Sequence, residues 1–282
     1  MKSSEDYFYT IDGLRLYYQH WLPESPRSPQ ALLVIVHGLG EHSHRYRNVI
    51  DALVPKNIGV ATFDLRGHGR SEGKRGHILF FRQYLLDLQQ FLNVSRALHP
   101  EPCRFFLLGH SLGGLIVLRY CLDFEKTEFL SGVIASGPAI GVRMQVPAYK
   151  KMLAKTFSAL IPVMRFQNEV HPELLSRDPA VVEGYLSDPL VHQQVTARFY
   201  TETVHVMEEV RRNISQLRLP VLFLQGDEDH LINPQSTVQA FNRIQFKDKT
   251  LKVYPGNLHE VFNDLDKERV IEDMYHWMQK HL

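Results

Sequence analysis

An alcohol is a poor nucleophile at neutral pH until an adjacent base takes its proton, and the base in turn needs a partner that orients it. Two stretches of this 282-residue sequence set a serine in the frame G-x-S-x-G: Gly109-His110-Ser111-Leu112-Gly113 and Gly69-Arg70-Ser71-Glu72-Gly73. A chain of this length yields roughly 0.1 such matches by chance at average composition, so the flanking residues must separate the two. Ser111 follows the apolar run RFFLLGH and precedes LGGLIVLRYCLDF, an apolar helical pattern. That is the strand-turn-helix setting in which a strained turn presents a serine hydroxyl. Ser71 lies in DLRGHGRSEGKRG, which is polar and glycine-rich and has no helical period. Ser111 is therefore the expected nucleophile and Ser71 a loop serine. Gly109 and Gly113 would remove side chains that collide with the turn or the neighbouring strand, and the helix opening at Leu112 would aim its positive end at the reacting centre.

In strand-turn-helix serine enzymes the acid and then the histidine follow the nucleophile in chain order, each just after a strand. VLFLQGDEDHLINP places Asp227, Glu228 and Asp229 after one late apolar run, and LKVYPGNLHEVFND places His259 after the next. Fifteen histidines make any one of them a weak candidate by type, but His259 alone sits between the last strand and the last helix. An acid could instead follow the strand after the nucleophile, where the chain reads Ser136-Gly137-Pro138 and offers no carboxylate. The oxyanion of a tetrahedral intermediate needs two preorganised N–H donors. Leu112, directly after the serine, is the expected source of one. Leu39, in the turn His37-Gly38-Leu39-Gly40 after another apolar run, is the expected source of the other.

These groups must be positioned by a scaffold. Residues 6–11 and 14–21 flank Asp12-Gly13, a two-residue hairpin signal. The short apolar runs at 31–36, 58–63, 104–109, 132–136, 221–226 and 250–255 suit strands buried on both faces of a parallel sheet. Between them lie helical stripes such as Phe81, Leu85, Leu88 and Leu92 within 77–98, and Ile271, Met274, Tyr275 and Met278 near the end. The pattern predicts an α/β fold, a mostly parallel doubly wound sheet with an N-terminal antiparallel hairpin. Residues 137–219 break the alternation and contain no convincing strand, while Val146, Tyr149, Leu153, Thr156, Phe157 and Leu160 recur at helical spacing. A structureless loop of that length is implausible. The expected organisation is a core of 1–136 and 220–282 with a helical cap inserted at 137–219.

Composition narrows the function classes. A formal net charge of +1 gives no case for nucleic acid, and no metal-ligand cluster or cofactor motif is visible. Cys103 and Cys121 read as buried free thiols. The first ten residues carry Glu5 and Asp6 with no apolar signal segment, and no apolar run approaches the roughly 18 residues of a spanning helix. A cytoplasmic protein is expected.

HGLGEHSHRY (37–46), RGHGRSEG (66–73), GHSLGG (109–114), SDPL (187–190), GDEDHLINP (226–234) and the late His259 stand in the order found in monoacylglycerol lipases and related lysophospholipases, which the sequence resembles over nearly its whole length. The resemblance implies the α/β-hydrolase fold, a triad of Ser111, Asp229 and His259, and an oxyanion hole of Leu39 and Leu112. The choice of Asp229 over its acidic neighbours follows from the family spacing G-x-x-D starting at Gly226. It further implies that Glu41, Arg45, His110 and Tyr185 lie near the alcohol portion of the substrate, and that no metal or organic cofactor is used. The implied reaction is hydrolysis of a monoglyceride-like lipid ester through an acyl-enzyme. A lysophospholipase or a short-chain carboxylesterase is the alternative within the class, and a non-catalytic module binding a hydrophobic ligand is the alternative outside it. Nothing in the cap is dedicated to a substrate amine, as a peptidase would need, and a dehalogenase would need a carboxylate at position 111. The sequence departs from the family at Leu112, where many members carry Met, and in the cap outside SDPL, so acyl-chain preference does not carry over. The basic amphipathic stretch with Lys150, Lys151 and Lys155, confined by Pro147 and Pro162, has two readings. It is either a peripheral membrane contact or, as favoured, a cap helix with its apolar face on the core.

Overall fold

The computed structural model describes residues 1–24, 28–99, 103–124, 127–143, 148–168 and 170–282, without the side chains of residues 148, 150 and 151. Strands β1 (Lys2–Tyr9) and β2 (Arg15–Leu22) form the N-terminal hairpin. The six apolar runs become β3 (Ala31–Val36), β4 (Ile58–Phe63), β5 (Arg104–His110), β6 (Leu130–Ser136) and, after the inserted region with its short β7 (Arg165–Gln167) and β8 (Gln194–Thr196), β9 (Val221–Gly226) and β10 (Lys249–Tyr254). The main sheet runs β1-β2-β4-β3-β5-β6-β9-β10, parallel throughout except for the hairpin and its junction with β4.

The continuous apolar runs are explained by two cores. Along β3, Leu32, Val34 and Val36 face one cluster, while Leu33 and Ile35 face the other. Helices α1 (Arg47–Leu53) and α8 (Lys267–Gln279) cover the second face. The first face is covered by α2 (Arg82–Leu98), α3 (Leu112–Asp123), α6 (Ala197–Asn213) and α7 (Pro234–Arg243). A central strand buried on both sides has no polar face to alternate with. The chain has the α/β-hydrolase fold.

Three local expectations are corrected. The hairpin connection is longer than two residues, with 10–14 between β1 and β2. The Thr10 N–H donates to the Leu14 carbonyl, the Leu14 N–H donates to the Thr10 hydroxyl, and Gly13 takes a left-handed φ of 85°. Helix α2 starts at Arg82 instead of near His77, because the Gln83 side chain accepts the Leu79 and Phe80 N–H groups and caps the turn before it. The thiols of Cys103 and Cys121 are free; Cys103 is only half-buried, whereas burial pushes the Cys121 thiol up to about 12.

Residues 137–219 also differ from expectation. Beside α4 (Ala148–Leu160), α5 (Pro179–Ser187) and α6, they hold the antiparallel ribbon of β7 and β8, whose three-residue length left no legible pattern in the sequence. Phe199, Val206, Met207 and Val210 of α6 pack into the same core as α3. Helix α4 turns its apolar stripe outward. Leu160 is 74% exposed, with Tyr149, Met152 and Leu153 beside it in solvent, whereas Ser158 is 5% exposed. The facing side of α6 is polar: Thr201 bonds Ser158 at 2.8 Å, and Arg198 donates to the Ser158 carbonyl. The favoured reading, in which the apolar face lies on the core, is thus overturned. Val146, Pro147 and the side chains of Lys150 and Lys151 lie outside the described residues. No helix among the described residues is long and apolar enough to cross a membrane.

Candidate active site

Ser111 stands between β5 and α3 with φ 53° and ψ −114°, and it and Asn57 alone among the described non-glycine residues have positive φ. A serine in that region costs on the order of 1–3 kcal/mol, which the surroundings must offset. Its N–H donates to the Ser136 carbonyl and its carbonyl accepts from Ala139, so the turn is anchored to the end of β6. The glycines on either side are required by close approach. A Cβ on Gly109 would stand 2.2 Å from the Gly113 carbonyl oxygen, and one on Gly113 would stand 2.0 Å from that of Val36. Ser71 is placed elsewhere: buried, it donates to the Asp64 carbonyl and accepts from the Tyr17 N–H, tying a loop to β2.

The loops after β9 and β10 bring Asp229 and His259 together. His259 Nδ1 lies 2.7 Å from Asp229 Oδ2, with both residues buried. Asp229 Oδ1 accepts the N–H groups of Leu231 and Ile232, and Oδ2 also accepts from Gln225 Nε2. Burial opposes ionisation of Asp229, but the His259 charge and hydrogen bonds outweigh it and hold its carboxyl below the ordinary range. Burial likewise opposes protonation of His259, yet Asp229, and behind it Glu260 and Glu41, raise its pKa above the ordinary imidazole value. His230 points to solvent, and Asp227 is spent on the Gly256 N–H. The imidazole of His259 also approaches the Ser111 anchor: a Cβ on Gly137 would be 3.2 Å from its Cε1 and Nδ1.

The turn after β3 lies against the serine. A Cβ on Gly38 would be 3.2 Å from Ser111 Cβ. His37 is held on both ring nitrogens, by the Gly38 carbonyl and the Leu65 N–H, and the Gly38 N–H is taken by Glu41 Oε1. Among the described residues the N–H groups of Leu39 and Leu112 have no hydrogen-bond acceptor, and Leu112 is the first residue of α3, whose leading N–H groups lack intrahelical partners.

Comparison with known proteins shows the family. The Hydrolase_4 family model, described as serine aminopeptidase, S33, matches residues 27–266. The chain is 33% identical over 280 residues to a monoacylglycerol lipase of Mycolicibacterium smegmatis, covering 99% of this chain and 98% of the relative. The chain belongs to the Hydrolase_4 family of serine hydrolases. Among solved structures, the Paleococcus ferrophilus monoacylglycerol lipase superposes with a TM-score of 0.82 at 32% identity over all of both chains. A soluble variant of the Saccharomyces cerevisiae monoglyceride lipase with a substrate analogue superposes with a TM-score of 0.88, covering 98% of this chain and 94% of that one, at 24% identity.

In this Hydrolase_4 member the four remaining residues singled out by sequence form one buried cluster. Arg45 donates to Glu41 Oε2 at 3.1 Å and to Glu260 Oε2 at 2.5 Å, and its guanidinium lies 4.9 Å from the centre of the Tyr185 ring. Tyr46 donates to Glu41 Oε1, and Asn263 Nδ2 to Glu260 Oε2. Burial pushes the Tyr185 hydroxyl up to about 12, and that hydroxyl has no partner among the described residues. Burial and the neighbouring His259 bring His110 down to about 4, so at neutral pH its ring is uncharged, 4.6 Å from that of His259 between centroids. Sequence reasoning missed Glu260, Gln225 and Tyr46. Two signals were available: a glutamate directly after the candidate base, and a lone polar residue at the end of the apolar run VLFLQG.

Proposed function

We propose that this protein is a monoacylglycerol lipase with Ser111 as nucleophile, His259 as general base and Asp229 as the orienting acid. The observation that carries the reading is the buried His259–Asp229 pair at 2.7 Å, packed on Gly137 next to the Ser136 carbonyl that anchors a serine held at positive φ on the turn into α3. His259 takes the Ser111 proton as the hydroxyl attacks the ester carbonyl. The oxyanion is received by the Leu39 and Leu112 N–H groups, each worth about 3–4 kcal/mol to such an intermediate. His259 then protonates the departing glycerol oxygen. Water, deprotonated by His259, attacks the acyl-Ser111 ester; the acyl–Oγ bond breaks, His259 returns the proton to Ser111, and the fatty acid leaves. Asp229 holds the Nδ1 proton in place and stabilises the imidazolium.

An ester rather than an N-terminal peptide is favoured by the local charges. Of the carboxylates near His259, Asp229 is held by the imidazole itself, and Arg45 bridges the other two, Glu41 and Glu260, so each is already paired when a substrate ammonium would arrive. Glu41, Arg45, His110 and Tyr185 supply a polar corner for the glycerol hydroxyls. Residues 137–219 are read as the cap over a core of 1–136 and 220–282, with α6 rejoining the core. The outward apolar face of α4 supports a peripheral contact with a lipid surface, from which a monoglyceride would be drawn. Flotation with phosphatidylcholine vesicles tests that contact: M152S/L160S should reduce association, and unchanged association would count against it.

The decisive assay is hydrolysis of monoacylglycerols of graded chain length, a lysophosphatidylcholine, a diacylglycerol and p-nitrophenyl acetate, with S111A as the blank. Preference for monoacylglycerol is expected. Turnover of the activated ester alone would reject the lipid assignment.

A further inference from the structure

The loop that carries His259 is gripped from the inserted region. Asp264, wholly buried, accepts the N–H of Leu258, the residue before His259, on Oδ2 at 2.8 Å. Its Oδ1 accepts the N–H of Leu265 at 2.8 Å and that of Arg177 at 3.0 Å. The Arg177 guanidinium closes over the same carboxylate, with Nε 3.0 and 3.1 Å from its two oxygens. Nη2 reaches Asn257 Oδ1 at 2.7 Å, two residues before His259, and Asp266 Oδ2 at 2.7 Å. Adjoining residues add backbone ties: Ser176 donates to the Asn263 carbonyl, and the Glu260 N–H donates to the Leu175 carbonyl. One arginine from the inserted region therefore spans the loop on both sides of the histidine.

The grip is directional. A planar guanidinium with a fixed fork of donors sets the orientation of what it binds, where an ammonium would only supply charge. Asp264 without the Arg177 guanidinium would be a buried carboxylate held only by the backbone N–H groups of Leu258, Leu265 and Arg177, and the loop would lose the one side chain that ties Asn257 to Asp264 across the histidine. The backbone flanking His259 sets where Nε2 stands relative to the serine hydroxyl, whereas the Asp229 contact fixes only the far side of the ring.

We infer that Arg177, acting through Asp264 and Asn257, is a positioning residue for His259, so that seating of the inserted region sets the alignment of the base. This rests on the reading of His259 as general base. The step it assists is the proton transfer, so its loss should appear in kcat and not in substrate binding.

The test uses the full chain and p-nitrophenyl acetate, a substrate too small to depend on the acyl pocket. R177Q and D264N should each lower kcat by about 10- to 100-fold with KM unchanged, the range for displacement of a catalytic group by an ångström or less. R177K should recover part of the loss, and R177Q/D264N should be no slower than the slower single variant, because the two side chains act as one unit. Wild-type kcat in R177Q and D264N, with or without a lower Tm, would overturn the inference, as would a raised KM at unchanged kcat or full additivity. H259Q run in parallel separates the two failures. If H259Q retains turnover, the base assignment falls; if H259Q is inactive while R177Q and D264N are not, only the positioning role falls.

Discussion

Substituting Gly113 by alanine should separate the two proposed oxyanion donors, the Leu39 and Leu112 N–H groups, without unfolding the protein. The added Cβ would lie 2.0 Å from the Val36 carbonyl oxygen and 2.7 Å from that of His37, where Cβ contacts under 3.0 Å are essentially never found. Opening the shorter contact requires α3 to move about 1 Å from the end of β3. Leu112 opens that helix and Leu39 follows that strand, so the displacement falls on the gap between their N–H groups. Overpacking of this kind costs about 1–3 kcal/mol, less than the 5–15 kcal/mol of a typical domain. The catalytic cost is larger: loss of one oxyanion donor removes about 100- to 1,000-fold from kcat. G113A should therefore give a cooperative melt and a kcat/KM for p-nitrophenyl acetate lower by that factor. Gly184 in α5 is the control, since no heavy atom lies within 4 Å of an added Cβ. G184A should leave activity unchanged and raise stability by up to about 1 kcal/mol. Wild-type activity in a folded G113A would refute the argument from close approach.

Three further outcomes are expected. As the proposed base, His259 must be neutral to act, and its pKa lies above the ordinary imidazole value, so kcat/KM should rise with pH through a midpoint above about 6.5. A pH–rate profile that is flat from pH 5 to 8 would contradict this. S71A should retain turnover but melt earlier, since removing a buried hydroxyl with two partners costs about 1–3 kcal/mol; loss of turnover in a folded S71A would revive the second serine motif. Burial holds His20, His110 and His192 down at about 4 and His68 well below its usual value. Because the folded state keeps these rings neutral, their contribution is present above about pH 6.5 and is lost as the pH falls toward 4. Tm should drop across that window, and a constant Tm would count against neutral burial.

The parallel sheet and the serine turn were legible because each leaves a signature in consecutive residues. Apolar runs buried on both faces have no polar alternation, and the steric demands at Gly109 and Gly113 are written as glycines around a serine. The Asp229–His259 pairing was legible from position, since β9 and β10 are followed at once by DED and by a late histidine. Contacts between distant segments were not. Nothing local to Arg177 points to Asp264, and nothing local to Glu41 says that its carboxylate holds the Gly38 N–H. The α4 surface was misread because helical periodicity identifies an apolar stripe without saying whether it meets a core or solvent. Its partner, the polar side of α6, lies about forty residues further along. The turn at Gly13 was expected to be too short because the Thr10 hydroxyl closes it from outside the Asp-Gly pair.

The most direct test of the account is active-site labelling with a fluorophosphonate, read by intact mass and peptide mapping. A single adduct on Ser111, absent from S111A together with all esterase turnover, is the predicted result. An adduct on any other serine, or turnover persisting in S111A, would contradict the central claim.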